Sequence, residues 1–267
     1  MLGLDNAALE FRQIARRFTS PDGIPYLALI DVNLTVRAGR FVSVVGPSGC
    51  GKSTLLNLAA GLMRPSEGSV SLFGQELGGI NRRAAYMFQQ DALLPWKTVL
   101  DNVALGLEFR GKTRAAARAE ADGWLHRVGL DGFGGSFPYQ LSGGMRKRAA
   151  MAQCWITGPD IVLMDEPFAA LDVHTRLRMQ QEILGLWAET GKTVLFVTHD
   201  LEEAIAMSDE VAVLAAGPGS RIVARHTVDM PRPRDLLDIR TQPRFLELYK
   251  SIWADLRAQV LRSYERG

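Results

Sequence analysis

The chain has 267 residues, 47% of them hydrophobic and 22% charged, an ordinary globular composition with room for one large domain or two small ones. A formal net charge of +2 gives no basis for a general nucleic-acid binder. No apolar run approaches the ~18 residues that a bilayer crossing takes, so work at a membrane would need spanning subunits supplied by other chains.

Met1 to Glu10 carries acidic residues and no basic-then-apolar signal segment. Leu9 to Phe18 reads as a mixed strand, and Thr19-Ser20-Pro21-Asp22-Gly23-Ile24-Pro25 as a turn-rich insertion. Val32 to Val36 alternates apolar and polar residues at period two, the pattern of a half-buried strand. Phe41-Val42-Ser43-Val44-Val45 is an apolar run that predicts a buried strand, Thr54 to Ala60 a helix closed by Gly61, and Ser69 to Phe73 a further strand. Lys112 to Val128 is rich in alanine and arginine and reads as helix, as does the stretch from Met145 to Trp155. Gly158-Pro159 marks a break. Beyond it strand and helix alternate: Ile161–Met164, Val173–Ala188, Thr193–Thr198, Leu201–Met207 and Glu210–Leu214. That alternation predicts an α/β fold with a parallel sheet and helices on its faces, split by a helical insert over 91–157. Val228-Asp229-Met230-Pro231-Arg232-Pro233-Arg234-Asp235 then leads to a tail helix, 236–267, with Phe245, Leu248, Ile252, Trp253 and Leu256 at helical spacing for packing. There is no internal repeat and no low-complexity tract.

Two regions carry chemistry. Gly46-Pro47-Ser48-Gly49-Cys50-Gly51-Lys52-Ser53 fits G-x-x-x-x-G-K-[ST] between a strand and a helix, the context that this motif needs. Glycines let several N–H groups converge on one anion, and the helix that opens at Lys52-Ser53-Thr54 adds its positive end. Lys52 can reach β- and γ-phosphates, and the Ser53 hydroxyl can ligate Mg²⁺. Downstream, Ile161 to Met164 ends in Asp165-Glu166-Pro167. Asp165 closes a buried strand, where its carboxylate can hold the Mg²⁺ shell. Glu166, one residue further, can face the attacking water as general base. Taken alone, an adjacent Asp-Glu pair is a solvated strand end; with a phosphate loop upstream the catalytic reading prevails.

Further motifs follow in a fixed order: Met87-Phe88-Gln89-Gln90, Leu141-Ser142-Gly143-Gly144, Ala170-Leu171-Asp172 and Phe196-Val197-Thr198-His199-Asp200. With the two regions above they resemble the ATPase subunit of an ABC transporter over nearly the whole chain: Walker A, glutamine loop, signature, Walker B, D-loop and switch histidine. The resemblance implies a P-loop NTPase core over 1–90 and 158–235, with an N-terminal antiparallel β subdomain and an inserted helical signature subdomain over 91–157. It implies ATP and Mg²⁺ as cofactors. Gln89 would sense Mg²⁺ and the attacking water, with Gln90 the rival position, and His199 would contact the γ-phosphate. His126, His174 and His226 have no such support and read as surface or packing residues. An aromatic upstream of the phosphate loop would stack on adenine, with Phe18 the better match and Tyr26 the alternative. Ser142, Gly143 and Gly144 form a second anion-binding helix start that would complete the site of a second, head-to-tail copy, with Asp172 at the seam.

Met145 stands where many family members carry glutamine, and Gln153 where an arginine is common. Cys50, inside the phosphate loop, is an expected target for a maleimide unless its thiol is buried and inert. The two cysteines, Cys50 and Cys154, sit in unrelated contexts and fit a reduced cytosolic compartment better than a disulfide. Leu93-Leu94-Pro95-Trp96, Leu141 to Arg146 and Asp165 to Phe168 resemble the importer branch that serves nitrate, sulfonate, taurine and related solutes in bacteria. That branch implies a peripheral protein on the cytoplasmic face of the inner membrane. Its partners would be membrane permease subunits and, indirectly, a periplasmic solute-binding protein, with no nucleic acid. Two rival classes lack support: repair or ribosomal ABC proteins usually carry two ATPase domains or a long coiled coil, and exporter ATPases are usually fused to a membrane domain.

Overall fold

The computed structural model describes residues 7–20 and 22–264. Outside them lie the start of the acidic N-terminal segment (1–6), Pro21 of the turn insertion and the end of the tail (265–267). In chain order the elements are β1 (Ala7–Thr19), β2 (Pro25–Arg37), β3 (Phe41–Val45), α1 (Lys52–Ala59), β4 (Glu67–Leu72), β5 (Gln75–Glu76) and β6 (Ala84–Met87). Helices α2 (Val99–Phe109), α3 (Arg114–Arg127) and α4 (Gly143–Trp155) lead to β7 (Ile161–Asp165) and α5 (Val173–Thr190). Then come β8 (Thr193–Val197), α6 (Leu201–Met207), β9 (Glu210–Leu214), β10 (Ile222–Thr227) and α7 (Pro243–Tyr264). The chain divides into two compact units, Met1–Arg82 with Gly191–Gly267, and Arg83–Thr190.

The first unit holds two sheets. One is antiparallel, in the order β2-β1-β4-β5. In the other, β3 lies between β8 and β9, parallel to both, and β10 adds to β9 antiparallel. The amino-acid pattern explains the difference. All five residues of β3 and all five of β8 are buried, as strands covered on both faces must be. Phe41 of β3 and Phe196 of β8 meet edge to face, ring centroids 5.9 Å apart. Helix α1 packs toward β8, α6 covers β3 and β9, and α7 rests on α6, β9 and β10. On α7 the residues Phe245, Leu248, Ile252 and Leu256 are buried as expected, whereas Trp253 is 42% exposed. It follows Ile252 directly, so it sits about 100° around the helix from that residue and leaves the apolar stripe.

The strand expected over Val32 to Val36 is the end of a longer one. β2 begins at Pro25 and pairs along its length with β1, so that Thr19 faces Pro25 and Phe18 faces Tyr26. The turn-rich insertion is therefore the tip of a hairpin, and pairing extends the strand beyond its alternating stretch.

In the second unit β6 and β7 pair in parallel, helices α2, α3 and α4 pack on one another, and α4 also packs on β6. Helix α2 has a sequence signature that the apolar pattern alone does not isolate. The Thr98 hydroxyl caps it by accepting the Asp101 N–H, and Val99, Val103, Ala104 and Leu107 form its buried stripe. Asn102, fully buried on the same helix, donates to the carbonyls of Leu94, Lys97 and Thr98 and accepts the Leu94 N–H at 2.7 Å. One amide thus fixes the loop that follows the glutamine motif.

Candidate functional site

In the first unit the loop Gly46–Gly51 joins the buried end of β3 to α1. Gly51 is the N-cap of α1 with φ 95°, and a Cβ there would stand 2.8 Å from Leu29 Cδ2, so only glycine suits the turn. A glycine cap brings no side-chain oxygen to the first turn of α1, which leaves its N–H groups suited to an anion. Lys52 is 94% buried, being 6% exposed, and its Nζ donates to the carbonyls of Gly46 (2.9 Å) and Pro47 (3.0 Å). The ammonium is thereby held over the loop. Ser48, Gly49 and Ser53 are exposed at the loop surface, and Pro47 and Thr54 are half-buried. Donor groups, cation and hydroxyl are together on one short segment, which fits a nucleotide's phosphates.

Cys50 departs from its expected reactivity. It is 1% exposed, and its Sγ lies 2.8 Å from where a Gly46 Cβ would be, so the thiol points into the packed underside of the loop. The maleimide expectation is corrected: Cys50 is a small buried hydrophobe. Cys154 is buried too, and burial pushes its thiol up to about 12.

Phe18 and Tyr26, the two aromatic alternatives, form one unit. Their rings stack with centroids 5.5 Å apart, and the Arg16 guanidinium lies 4.6 Å from the Phe18 centroid. Tyr26 is the more exposed partner of the pair, at 49%.

His199 lies exposed in the link from β8 to α6. Both neighbours are pinned. The buried Thr198 hydroxyl donates to Glu203 at 2.8 Å and accepts the Asp200 N–H at 3.0 Å. The Asp200 carboxylate caps α6 by accepting the N–H groups of Glu202 (2.9 Å) and Glu203 (3.2 Å). At the other end of α6, Arg234 donates to the carbonyls of Ile205, Ala206 and Ser208, and Arg232 to that of Met207. The Pro-Arg-Pro-Arg tail motif thus caps the helix that follows His199.

In the second unit, β7 ends at Asp165 and the next residue, Glu166, has φ 42°. This left-handed turn is strained for a residue other than glycine and breaks the strand's alternation. Asp165 Oδ2 accepts the Tyr86 hydroxyl at 3.2 Å; burial and the Asp165 charge hold that phenol well above its usual range, so it stays a donor. Gln89 follows the end of β6, exposed, its Nε2 3.5 Å from Glu166 Oε2. Phe88 stacks on Tyr86 with centroids 4.1 Å apart.

Ser142 is the N-cap of α4, its Oγ accepting the Met145 N–H at 3.3 Å. Gly143 and Gly144 open the helix, and a Cβ at Gly144 would stand 2.7 Å from Thr175 Cγ2 on α5. A side chain there would force the Thr175 methyl to shift. Asp172 caps α5 in the same way: its Oδ1 accepts the Thr175 N–H, and hydrogen bonds from Thr175 hold its carboxyl below the usual range. Gln153 donates to the Asn102 carbonyl at 3.2 Å and joins α4 to α2. His126 is exposed and paired with Asp131, His174 is exposed, and His226 contacts Asp255 of α7 at 2.8 Å. Sequence reasoning missed Tyr86 and Lys147. Tyr86 carried no signal beyond its place in a short strand, whereas a lysine within the signature helix was a visible cue.

A phosphate loop after a buried strand, and a second strand ending in Asp-Glu beside a glutamine, define a P-loop ATPase. The chain belongs to the ABC transporter family, whose sequence profile matches residues 29–169. An uncharacterized ABC transporter ATP-binding protein of Methanocaldococcus jannaschii is 48% identical over 236 residues, covering 88% of this chain and 86% of the relative. The taurine import ATP-binding protein TauB of Rhizobium johnstonii is 44% identical over 268 residues, covering 98% and 99%. Among solved structures, a dimeric ATP-binding cassette in a post-hydrolysis state, bound to ADP and Pi, aligns with a TM-score of 0.75 at 32% identity, over 84% of this chain and 100% of that one. The chain is an ABC-type ATPase, and its resemblance to the nitrate, sulfonate and taurine branch agrees with these relatives.

Proposed function

We propose that this protein energises the uptake of a small solute of the nitrate, sulfonate or taurine class through a separate permease, by hydrolysing ATP at sites shared between two head-to-tail copies. The observation that carries the reading is that the chain has two helix starts with glycines in or beside the first turn, α1 with no side-chain cap and α4 capped by Ser142. Gly46 to Thr54, with Lys52, would hold the phosphates of one ATP, and Phe18 with Tyr26 would stack on its adenine. Ser142, Gly143 and Gly144 would close over the ATP of the other copy, with Asp172 at the seam.

The Ser53 hydroxyl, the Asp165 carboxylate and the Gln89 amide are hard oxygen donors of the kind that Mg²⁺ prefers. The ion would supply charge neutralisation along the phosphates. Glu166 takes the proton of the attacking water; it follows the last residue of β7 in a left-handed backbone turn. Gln89 orients that water, and His199 contacts the γ-phosphate. The rest of the catalysis is positioning and charge stabilisation, as phosphoryl transfer requires. With no helix long and apolar enough to cross a membrane among the described residues, the protein would dock on permease subunits at the cytoplasmic face, their solute delivered by a periplasmic binding protein. Domain roles follow: 1–90 and 158–235 bind nucleotide, 91–157 carries the signature, and 236–267 is a packing tail.

Mixing two inactive variants tests the shared site. Ser142→Arg damages only the signature and Lys52→Ala only the phosphate loop, so a heterodimer keeps one site with both parts intact. ATPase activity that reappears on mixing supports the reading. Mixtures without activity, together with a monomer at saturating ATP, refute it.

A further inference from the structure

Lys147 is buried, 3% exposed, on the helix that the signature opens. A buried ammonium persists only when its donors are matched, and here the partners all lie on the glutamine loop. Nζ donates to the carbonyl of Gln89 and, at 3.3 Å, to that of Phe88. It also stands 3.2 Å from Asp91 Oδ1, as an ion pair without hydrogen-bond geometry. The neighbouring Arg146 completes the arrangement from the same helix. It contacts Asp91 Oδ2 at 3.2 Å and donates to the carbonyl of Leu141, the first residue of the signature, at 2.6 Å.

We propose that Lys147 is a positioning residue for Gln89: its buried ammonium ties the backbone of residues 88–91 to the signature helix, so that the glutamine amide is held at the depth its role requires. The inference rests on the proposed role of Gln89 in orienting the attacking water. The physical argument concerns leverage. Gln89 is exposed, and its side chain makes one long contact, 3.5 Å from Glu166. Its position is therefore set by its backbone. The charged donor on the Gln89 carbonyl is the strongest polar restraint on that backbone, since hydrogen bonds to ionised groups are roughly twice as strong as neutral ones. Tyr86 and Phe88 fix the loop's entry by stacking; Lys147 fixes its turn. An aliphatic side chain in its place leaves two carbonyls and a carboxylate oxygen without their cation, and the loop moves outward to water.

A double-mutant cycle on the whole chain at saturating MgATP reads this out. Lys147→Met is expected to lower kcat by about tenfold or more, the scale of an ångström-level misplacement, while the affinity for MgATP stays near wild type. In a Gln89→Ala background the same substitution is expected to leave kcat nearly unchanged, because the side chain being positioned is already gone. Lys147→Gln, which keeps N–H donors without the charge and disturbs packing least, is expected to show the same non-additivity at smaller amplitude. Equal losses in both backgrounds, for both variants, would show that Lys147 only stabilises the fold and overturn the proposal. If Gln89→Ala alone leaves kcat at the wild-type value, the reading of Gln89 fails instead.

Discussion

Arg234 offers the sharpest stability prediction. Its guanidinium donates to five carbonyls: Ile205 (3.1 Å), Ala206 (3.2 Å), Ser208 (2.6 Å), Val228 (3.2 Å) and Met230 (3.1 Å). Burial, with the neighbouring Arg232, pushes its pKa down to about 10, so it remains charged at neutral pH. Arg234→Met strips the donor from all five acceptors. Each buried acceptor left unmade costs about 1–3 kcal/mol, but the losses are not additive and some carbonyls reach water. Discounted for the partial exposure of the site, the expected loss is about 3 kcal/mol. At 2–4 °C per kcal/mol for a chain of this size, that lowers Tm by roughly 6–12 °C. Arg234→Lys is expected to fall between, because one ammonium cannot span acceptors spread over two segments. Differential scanning calorimetry decides it, with the solvent-facing Arg244→Met, which loses only Asp229 and Glu247, as a control expected to match wild type. A Tm within about 2 °C of wild type in Arg234→Met would refute the reasoning.

Lys52→Ala is expected to lose affinity for ATP itself, since the phosphates lose their main cation; equilibrium binding of labelled ATP at the wild-type Kd would contradict the assignment. Neither Cys50 nor Cys154 is expected to react with a maleimide in the folded protein at neutral pH, and both are expected to react in denaturant, as mass spectrometry of the adducts will show. Asp101 carries a pH dependence. Burial alone would raise its pKa, but hydrogen bonds from Arg118 and Thr98 outweigh it and hold the carboxyl below its ordinary 3.8. A depressed carboxyl adds stability that is present above its unfolded pKa and is lost as pH falls through the lower folded value. Asp101→Asn is therefore expected to flatten the fall in Tm below about pH 4, and an unchanged acid limb would count against the pairing.

The residues that sequence reading could locate are those whose chemistry is fixed by local spacing. Gly46 to Ser53 needs its glycines for the turn and its lysine for the phosphates, so loop and following helix were legible, as were the largely apolar runs of β3, β7 and β8. Glu210 to Leu214 and Leu201 to Met207 coincide with β9 and α6. What was not legible depends on partners distant in the chain. Cys50 looked reactive because its neighbours are a loop, and only packing against Gly46 turns the thiol inward. The Pro-Arg-Pro-Arg motif read only as the lead into the tail helix, whereas its arginines cap a helix more than twenty residues earlier. Lys147 was visible as a lysine in the signature helix, but its depth was not. Its burial follows from the glutamine loop folding over α4, which no helical periodicity encodes.

Glu166→Gln tests the central claim most directly, because the amide keeps the size and hydrogen bonding of the carboxylate but cannot accept the water's proton. Turnover with saturating Mg²⁺ and ATP, and mass by light scattering in the same solution, are read together. The account predicts MgATP binding near the wild-type affinity, ATPase activity lowered by about a hundredfold or more, and an ATP-dependent dimer. Wild-type turnover in Glu166→Gln would contradict the general-base role, and a variant that stays monomeric at saturating ATP, even with its permease present, would contradict the shared site.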